Sequence, residues 1–225
     1  RVRSSAASDV YKRQILDEMA YYKLNKFHFH LCDNGGWRIQ IDKYPLLTKL
    51  GSHRMEIEWL KWWDFGDKHY VPEDTPGAYG GYYTKEDIRQ IVSYAAGRHI
   101  DVIPEIEFPA HSDEVFVGYP EFCCTGRPYT TGEFCVGNPA TLRFAEDVLT
   151  EIMELFPSKY IHIGGDEAGK VAWKSCPKCQ HLAREVGGFE EVQCYMIEHL
   201  ELFLAEHGRV MMGWDEILKN SLRSS

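Results

Sequence analysis

Positive charge is scarce in this 225-residue chain. Its 25 Lys and Arg stand against 34 Asp and Glu, for a net charge of −9 at pH 7. That leaves little electrostatic basis for binding nucleic acid or an anionic membrane. Long apolar runs are also missing: nothing approaches the roughly 20 residues that a spanning helix needs, and no signal peptide is legible. No membrane insertion is expected. The seven cysteines are odd in number and show no framework spacing, which argues against a disulfide scaffold in a domain this large. Cys176-Pro177-Lys178-Cys179 is followed by no second CxxC and no HxxxH, so it reads as a loop or helix start rather than half of a metal or redox site. No metal and no cofactor is expected. Internal repeats and low-complexity tracts are absent.

Aromatic residues are plentiful at 13%. Together with the acidic excess they suit a sugar, whose ring faces stack and whose hydroxyls donate to carboxylates. Residues 1–14, RVRSSAASDVYKRQ, have no apolar period and resemble translated sequencing adapter. They are expected to be a non-native tail. Truncation at both ends is expected, since the chain also stops just after a strand-like segment.

From Ile15 onward helix and strand patterns alternate. A helix is expected over Ile15–Leu24 and a strand over Lys26–Cys32. A long polar, aromatic stretch of about 33–83 then holds few periodic elements, and loops of that length are usually functional. Thr84 with Asp87 forms a capping-box signature before the next helix, and Ile100–Ile106 is the next strand. Pro139 stands at a first helical turn, Tyr160–Gly164 is a third strand, helices are expected at about 172–186 and 189–207, and Val210–Trp214 is a fourth strand. Short, almost wholly apolar strands alternating with helices imply a parallel sheet covered by helices. A doubly wound sheet and a (β/α)8 barrel both fit. Polar clusters after every strand favour the barrel, whose sites lie on that face.

Four clusters carry candidate chemistry. In IHIGGDEAG (161–169), two glycines release the backbone at a strand end, and Asp166 and Glu167 follow side by side. Repulsion and partial burial raise at least one pKa of such a pair and make a general acid available. The plainer reading is that Asp166 caps the next helix and Glu167 is solvated. In HFHLCDNGGWR (28–38), His28 and His30 share a strand face. They could join His111 and Asp166 around a metal, or serve as a barrel-core histidine and a carboxylate-orienting one. In IPEIEFPAHS (103–112), Glu105, Glu107 and His111 lie at a strand end, where His111 can hold a carboxylate's proton balance or sit satisfied in the core. In GWDEI (213–217), Trp214 offers a platform for a sugar or acetyl group, or simply packs.

HFHLCDNGGWRIQIDKYPLL, GGYYTKEDIRQIVSYAAGRHIDVIPEIEFPAHS, FPSKYIHIGGDE and MMGWDEIL, in that order, closely resemble family 20 glycoside hydrolases, the β-N-acetylhexosaminidases. The resemblance runs from about Ile15 to Leu218. It implies an α/β fold, a partial (β/α)8 TIM barrel holding about strands 2 to 5, with 15–225 as a partial catalytic barrel. It further implies a retaining exo-glycosidase that removes terminal β-linked N-acetylglucosamine or N-acetylgalactosamine, with N-acetylhexosamine-containing glycans as partners. Glu167 would be the general acid/base and Asp166 the residue orienting the 2-acetamido group, the substrate itself supplying the nucleophile. His111 and Asp33 match positions in a hydrogen-bond chain to the acid/base residue, and Trp214 matches a wall packing on the acetamido group.

Two departures stand out: Ala110 where the family has Gly, and Asp33-Asn34-Gly35-Gly36 where relatives often read Asp-Asp-Gln-Gly. The family's first strand, with a substrate-gripping Arg, is expected before Ile15, and its last three, with a Tyr for the acetamido oxygen, after Leu218. This polypeptide alone is therefore expected to be inactive or nearly so. Compartment stays open, a periplasmic or secreted location being favoured for the full-length protein. The rival expectations are a metal-dependent barrel hydrolase built on His28, His30, His111 and Asp166, and an inactive carbohydrate-binding remnant.

Overall fold

The computed structural model describes residues 4–64 and 68–218, with side chains described from Tyr11 onward. Helix α1 spans Ser4–Tyr21 and strand β1 spans Lys26–His30. The helix ends before Leu24 because Lys23 turns into the left-handed region (φ +61°) while Leu24 N–H donates to Met19 O at 2.8 Å, closing the last turn. The helix begins eleven residues ahead of Ile15, the expected start. Leu16 is fully buried, and Asp17 bonds Tyr94 Oη and, at 2.5 Å, Arg98 Nε.

The 33–83 stretch is more ordered than its composition suggests. It holds α2 (Leu46–Gly51), α3 (Trp59–Trp63) and a small antiparallel sheet of β2 (His53–Arg54), β3 (Tyr70–Val71) and β4 (Tyr79–Gly80), ordered β3-β2-β4. Two-residue strands leave no periodicity to read, so only the structure reveals them.

Helix α4 (Lys85–Ala96) starts at the capping box: Thr84 Oγ1 accepts from Asp87 N–H while the Asp87 carboxylate accepts from Thr84 N–H. It buries Ile88, Ile91 and Ala95. Then come β5 (Asp101–Glu105), α5 (Asp113–Gly118) and α6 (Pro139–Leu155). The last has Pro139 in its first turn and Asn138 Oδ1 capping Ala140 N–H. Strand β6 (Tyr160–His162) follows. The helix expected at about 172–186 is two, α7 (Val171–Ser175) and α8 (Pro177–Val186), because Pro177 cannot continue a helix interior and restarts one instead. Helix α9 (Phe189–Glu206) and β7 (Val210–Met212) complete the described chain.

The main sheet is parallel and ordered β1-β5-β6-β7. Each strand lies beside the one before it in this sheet, with no reversal of order. A doubly wound sheet reverses at a switch point, whereas a barrel does not. This sheet is a contiguous segment of a (β/α)8 barrel wall. Its outer face packs on α1, α4, α6 and α9 through a core that includes Phe29, Val102, Phe144, Val148, Ile152, Ile161, Met196 and Leu200. Among the described residues, no helix is long and apolar enough to cross a membrane.

Candidate active site

On β1, Phe27 and Phe29 turn inward to the helices, and His28 and His30 share the opposite, exposed face. That face meets Glu105, at the end of β5 and 1% exposed. His28 Nε2 lies 2.8 Å from Glu105 Oε2, and His162 Nδ1 lies 3.0 Å from Glu105 Oε1. Trp214 Nε1 donates to the same Oε1 at 3.1 Å. Burial opposes a charge on Glu105, but hydrogen bonds from His162 and His28 override it and hold the carboxyl far below its ordinary range. His30 instead meets Glu107, Nε2 to Oε1 at 2.9 Å. There burial wins: the Glu107 pKa is raised despite the His30 bond, with Glu105 and Asp166 adding repulsion. Its second oxygen is buried with no hydrogen-bond partner.

Both histidines of the HxH pair thus orient carboxylates. The metal-dependent alternative required His28, His30, His111 and Asp166 to converge. Among the described residues, His28 groups with Glu105 and His162, and His30 with Glu105 and Glu107; neither group takes in His111 or Asp166.

His111 is the link between two strand ends. It sits at φ +52°, in the left-handed region, and only 18% of its side chain is exposed. Its Nδ1 is 3.2 Å from Asp33 Oδ1, and its Nε2 is 3.6 Å from Asp166 Oδ2 and 3.4 Å from Glu167 Oε2. The hydrogen bond to Asp33 outweighs burial and raises the imidazole pKa to about 9. His111 is therefore an imidazolium at neutral pH, between Asp33 on one side and the Asp166–Glu167 pair on the other. For Asp33, burial pushes upward, but the His111 bond and charge leave the carboxyl below its usual value. Asn34, at one of the departures from the family pattern, brings Nδ2 to 3.4 Å from His111 Nδ1.

Asp166 caps nothing. The next helix begins at Val171 with Lys170 at its N-cap, and Asp166 Oδ1 is buried without a hydrogen-bond partner. Glu167 is 72% exposed along its side chain, at φ +50°, with its N–H donating to Glu216 Oε2 at 3.3 Å. The glycines before the pair are required by space as well as by dihedral. At Gly164 (φ +68°) a Cβ would run into the Glu107 carboxylate, and at Gly165 (φ +99°) into Ile217.

Trp214 stands 44% exposed, its ring 5.1 Å from His162 and 6.0 Å from His28. It is fixed at one edge by Glu105, flanked by the two imidazoles, and partly open to solvent. Beside Asp33 a recess of about 360 Å³ is lined in part by His30, Arg38 and Trp59. Sequence reading singled out Asp33, His111, Asp166 and Glu167, and the structure brings the four close to one another. It missed Glu105 as the hub that fixes Trp214, and it missed His162. The alternation that paired His28 with His30 would have aimed His162 at the same place.

An Asp-Glu pair, an imidazolium and a tethered indole thus stand together at the carboxyl ends of the parallel strands, the face on which barrel sites lie. The profile of glycosyl hydrolase family 20, catalytic domain, matches residues 7–224, and the chain belongs to that family. A β-hexosaminidase of Porphyromonas gingivalis is 40% identical over 220 residues, which are 93% of this chain and 26% of that protein. One from Vibrio furnissii is 37% identical over 91% of this chain and 34% of its own length. Among solved structures, the exo-β-N-acetylglucosaminidase of Vibrio harveyi in complex with N-acetylglucosamine superposes with a TM-score of 0.80 at 31% identity, covering 94% of this chain and 34% of that one. The β-N-acetylhexosaminidase of Bacteroides fragilis gives 0.77 at 31%, over 94% and 39%. The chain therefore spans about a quarter to two-fifths of the length of these relatives.

Proposed function

We propose that this chain carries the acid/base portion of a β-N-acetylhexosaminidase site, one that removes terminal β-linked N-acetylglucosamine or N-acetylgalactosamine from glycans with retention. The observation supporting this best is the Asp33–His111–Asp166/Glu167 chain. It sets a fixed positive charge beside one carboxylate with little exposure and one that is open to solvent.

In this reading Glu167, the exposed member, reaches the glycosidic oxygen and gives it a proton as the leaving group departs. Asp166 accepts a hydrogen bond from the 2-acetamido N–H, so that the acetamido oxygen forms the new bond to the anomeric carbon. The positive charge that develops on the resulting oxazolinium is opposed by the ionised Asp166. Glu167, now a carboxylate, takes a proton from the water that opens the ring. Trp214 walls the acetamido group.

The Asp33, His111 and Trp214 roles are those of positioning and binding groups. The recess beside Asp33 suits a further part of the glycan. The chain spans only about a quarter to two-fifths of its relatives' length, so the 225-residue polypeptide by itself is expected to turn over little or no substrate. Release of p-nitrophenol from its β-N-acetylglucosaminide by the full-length protein tests the reading. Activity should collapse in both Glu167→Gln and Asp166→Asn; full activity in either variant would refute the assigned roles.

A further inference from the structure

Four of the seven cysteines meet at one point. Cys124 and Cys135 come from the loop that follows β5 and α5; Cys176 and Cys179 bracket the start of α8. Their four Sγ atoms all lie within 4.8 Å of one another. Three of the distances, Cys124–Cys179, Cys135–Cys176 and Cys135–Cys179, are 3.7 Å. A tetrahedron of sulfurs about 2.3 Å from a central Zn²⁺ has edges of about 3.8 Å. A disulfide would bring two sulfurs to about 2.05 Å, and all four of these thiols are free.

The surroundings are built for the same purpose. Cys135, Cys176 and Cys179 are buried, 2%, 5% and 0% exposed, among Phe122, Phe134 and Trp173. Cys176-Pro177-Lys178-Cys179 has the two-residue spacing of a metal knuckle. The opposing loop comes in at Gly137, where any Cβ would collide with the backbone of Lys178 and Cys179. Gly137 N–H also points to Cys179 Sγ at 3.5 Å, a backbone donor of the kind that steadies a thiolate ligand. The other three cysteines take no part in this group: Cys32 accepts from Glu107 N–H, Cys123 bonds Arg127 O, and Cys194 lies on α9.

We propose that Cys124, Cys135, Cys176 and Cys179 bind one structural Zn²⁺ as four thiolates, clamping the loop after β5 to the segment after β6. On binding, each thiol gives its proton to solvent as its sulfur bonds the ion, and no electron changes hands. With all four positions filled by protein the ion has no open site for water, so its role is structural rather than catalytic. The clamp joins the two stretches that carry His111 and the Asp166–Glu167 pair. Trp173 Nε1 donating to Phe134 O at 2.8 Å spans the same junction.

The full-length protein, purified reduced and dialysed against EDTA, should retain about one zinc per chain by plasma mass spectrometry. Cys135→Ser and Cys176→Ser should lose the zinc and several degrees or more of thermal midpoint, while Cys194→Ser keeps both. Because the first two variants can fail to fold, Co²⁺ exchange into the wild type gives a second readout: the intense visible and near-ultraviolet bands of tetrahedral cobalt thiolate. Zinc content near zero in the folded wild type, a mass four hydrogens lighter from two disulfides, iron in place of zinc, or cobalt spectra without thiolate bands would each overturn the proposal.

Discussion

The carboxylate cluster and the sulfur cluster draw on the same loops but are built by opposite means. At the strand ends, ionisable groups are held by polar neighbours: His111 by Asp33, and the buried Glu105 by His28 and His162. Residues there sit at positive φ, as His111 and Glu167 do without being glycine, a cost that persists only when the surrounding structure enforces it. The sulfur cluster is made of soft ligands, three of the four buried, drawn from one loop and from the start of α8. One region keeps groups available for a reaction; the other closes all its valences and holds the first in shape.

The largest expected effects fall on the reactive side. In the full-length protein Glu167→Gln should lower kcat by about 10²–10⁴, the range that general acid–base groups supply, and Asp166→Asn by about 10²–10³. Neither should shift the thermal midpoint much, which circular dichroism melts would check. Equal losses of activity and stability would break the contrast between a reactive cluster and a structural one.

Gly164→Ala should do the reverse of those two variants. Its Cβ meets the Glu107 carboxylate at φ +68°, so destabilisation above about 2 kcal/mol is expected in denaturant unfolding. A neutral result would mean that Glu107 swings away freely and is not fixed by His30.

A smaller effect belongs to pH. His111 has its folded pKa raised to about 9, from an ordinary 6.5. Its contribution to stability is therefore fully present below pH 6.5 and is lost as pH rises through 9, a decline on the order of 2 kcal/mol. Full-length His111→Gln should flatten the unfolding free energy over that window, as urea titrations at several pH values would show. An unchanged decline would place the titration elsewhere. Smallest of all, Cys194→Ser should alter stability by no more than about 0.5 kcal/mol.

What was legible in the sequence follows the same division. The Asp166–Glu167 pair and its glycines are contiguous, and the alternation of His28 with His30 is a local property of a strand, so both could be read directly. The polar clusters after each apolar strand favoured a barrel over a doubly wound sheet, while the strand order itself comes from the structure. Where a feature depends on distant partners the sequence was mute. Cys124 and Cys135 are 11 positions apart and lie 52 and 41 positions before Cys176, so nothing near the CxxC completes a metal site in the sequence. The two-residue strands of the 33–83 segment have no period to detect. Pro177 was a visible helix breaker, and its effect on the expected 172–186 helix needed only the local rule.

The central claim is that the substrate's own acetamido group supplies the nucleophile, with Asp166 aligning it. Hydrolysis of p-nitrophenyl β-N-acetylglucosaminide by the full-length protein, set against the matching β-glucoside with a 2-hydroxyl, tests that most directly. The account predicts that the glucoside is cleaved at least about 10³-fold more slowly in kcat/KM, a loss of some 4 kcal/mol in transition-state stabilisation. Comparable rates on the two substrates would contradict it, because an enzyme nucleophile would then have to be doing the attack.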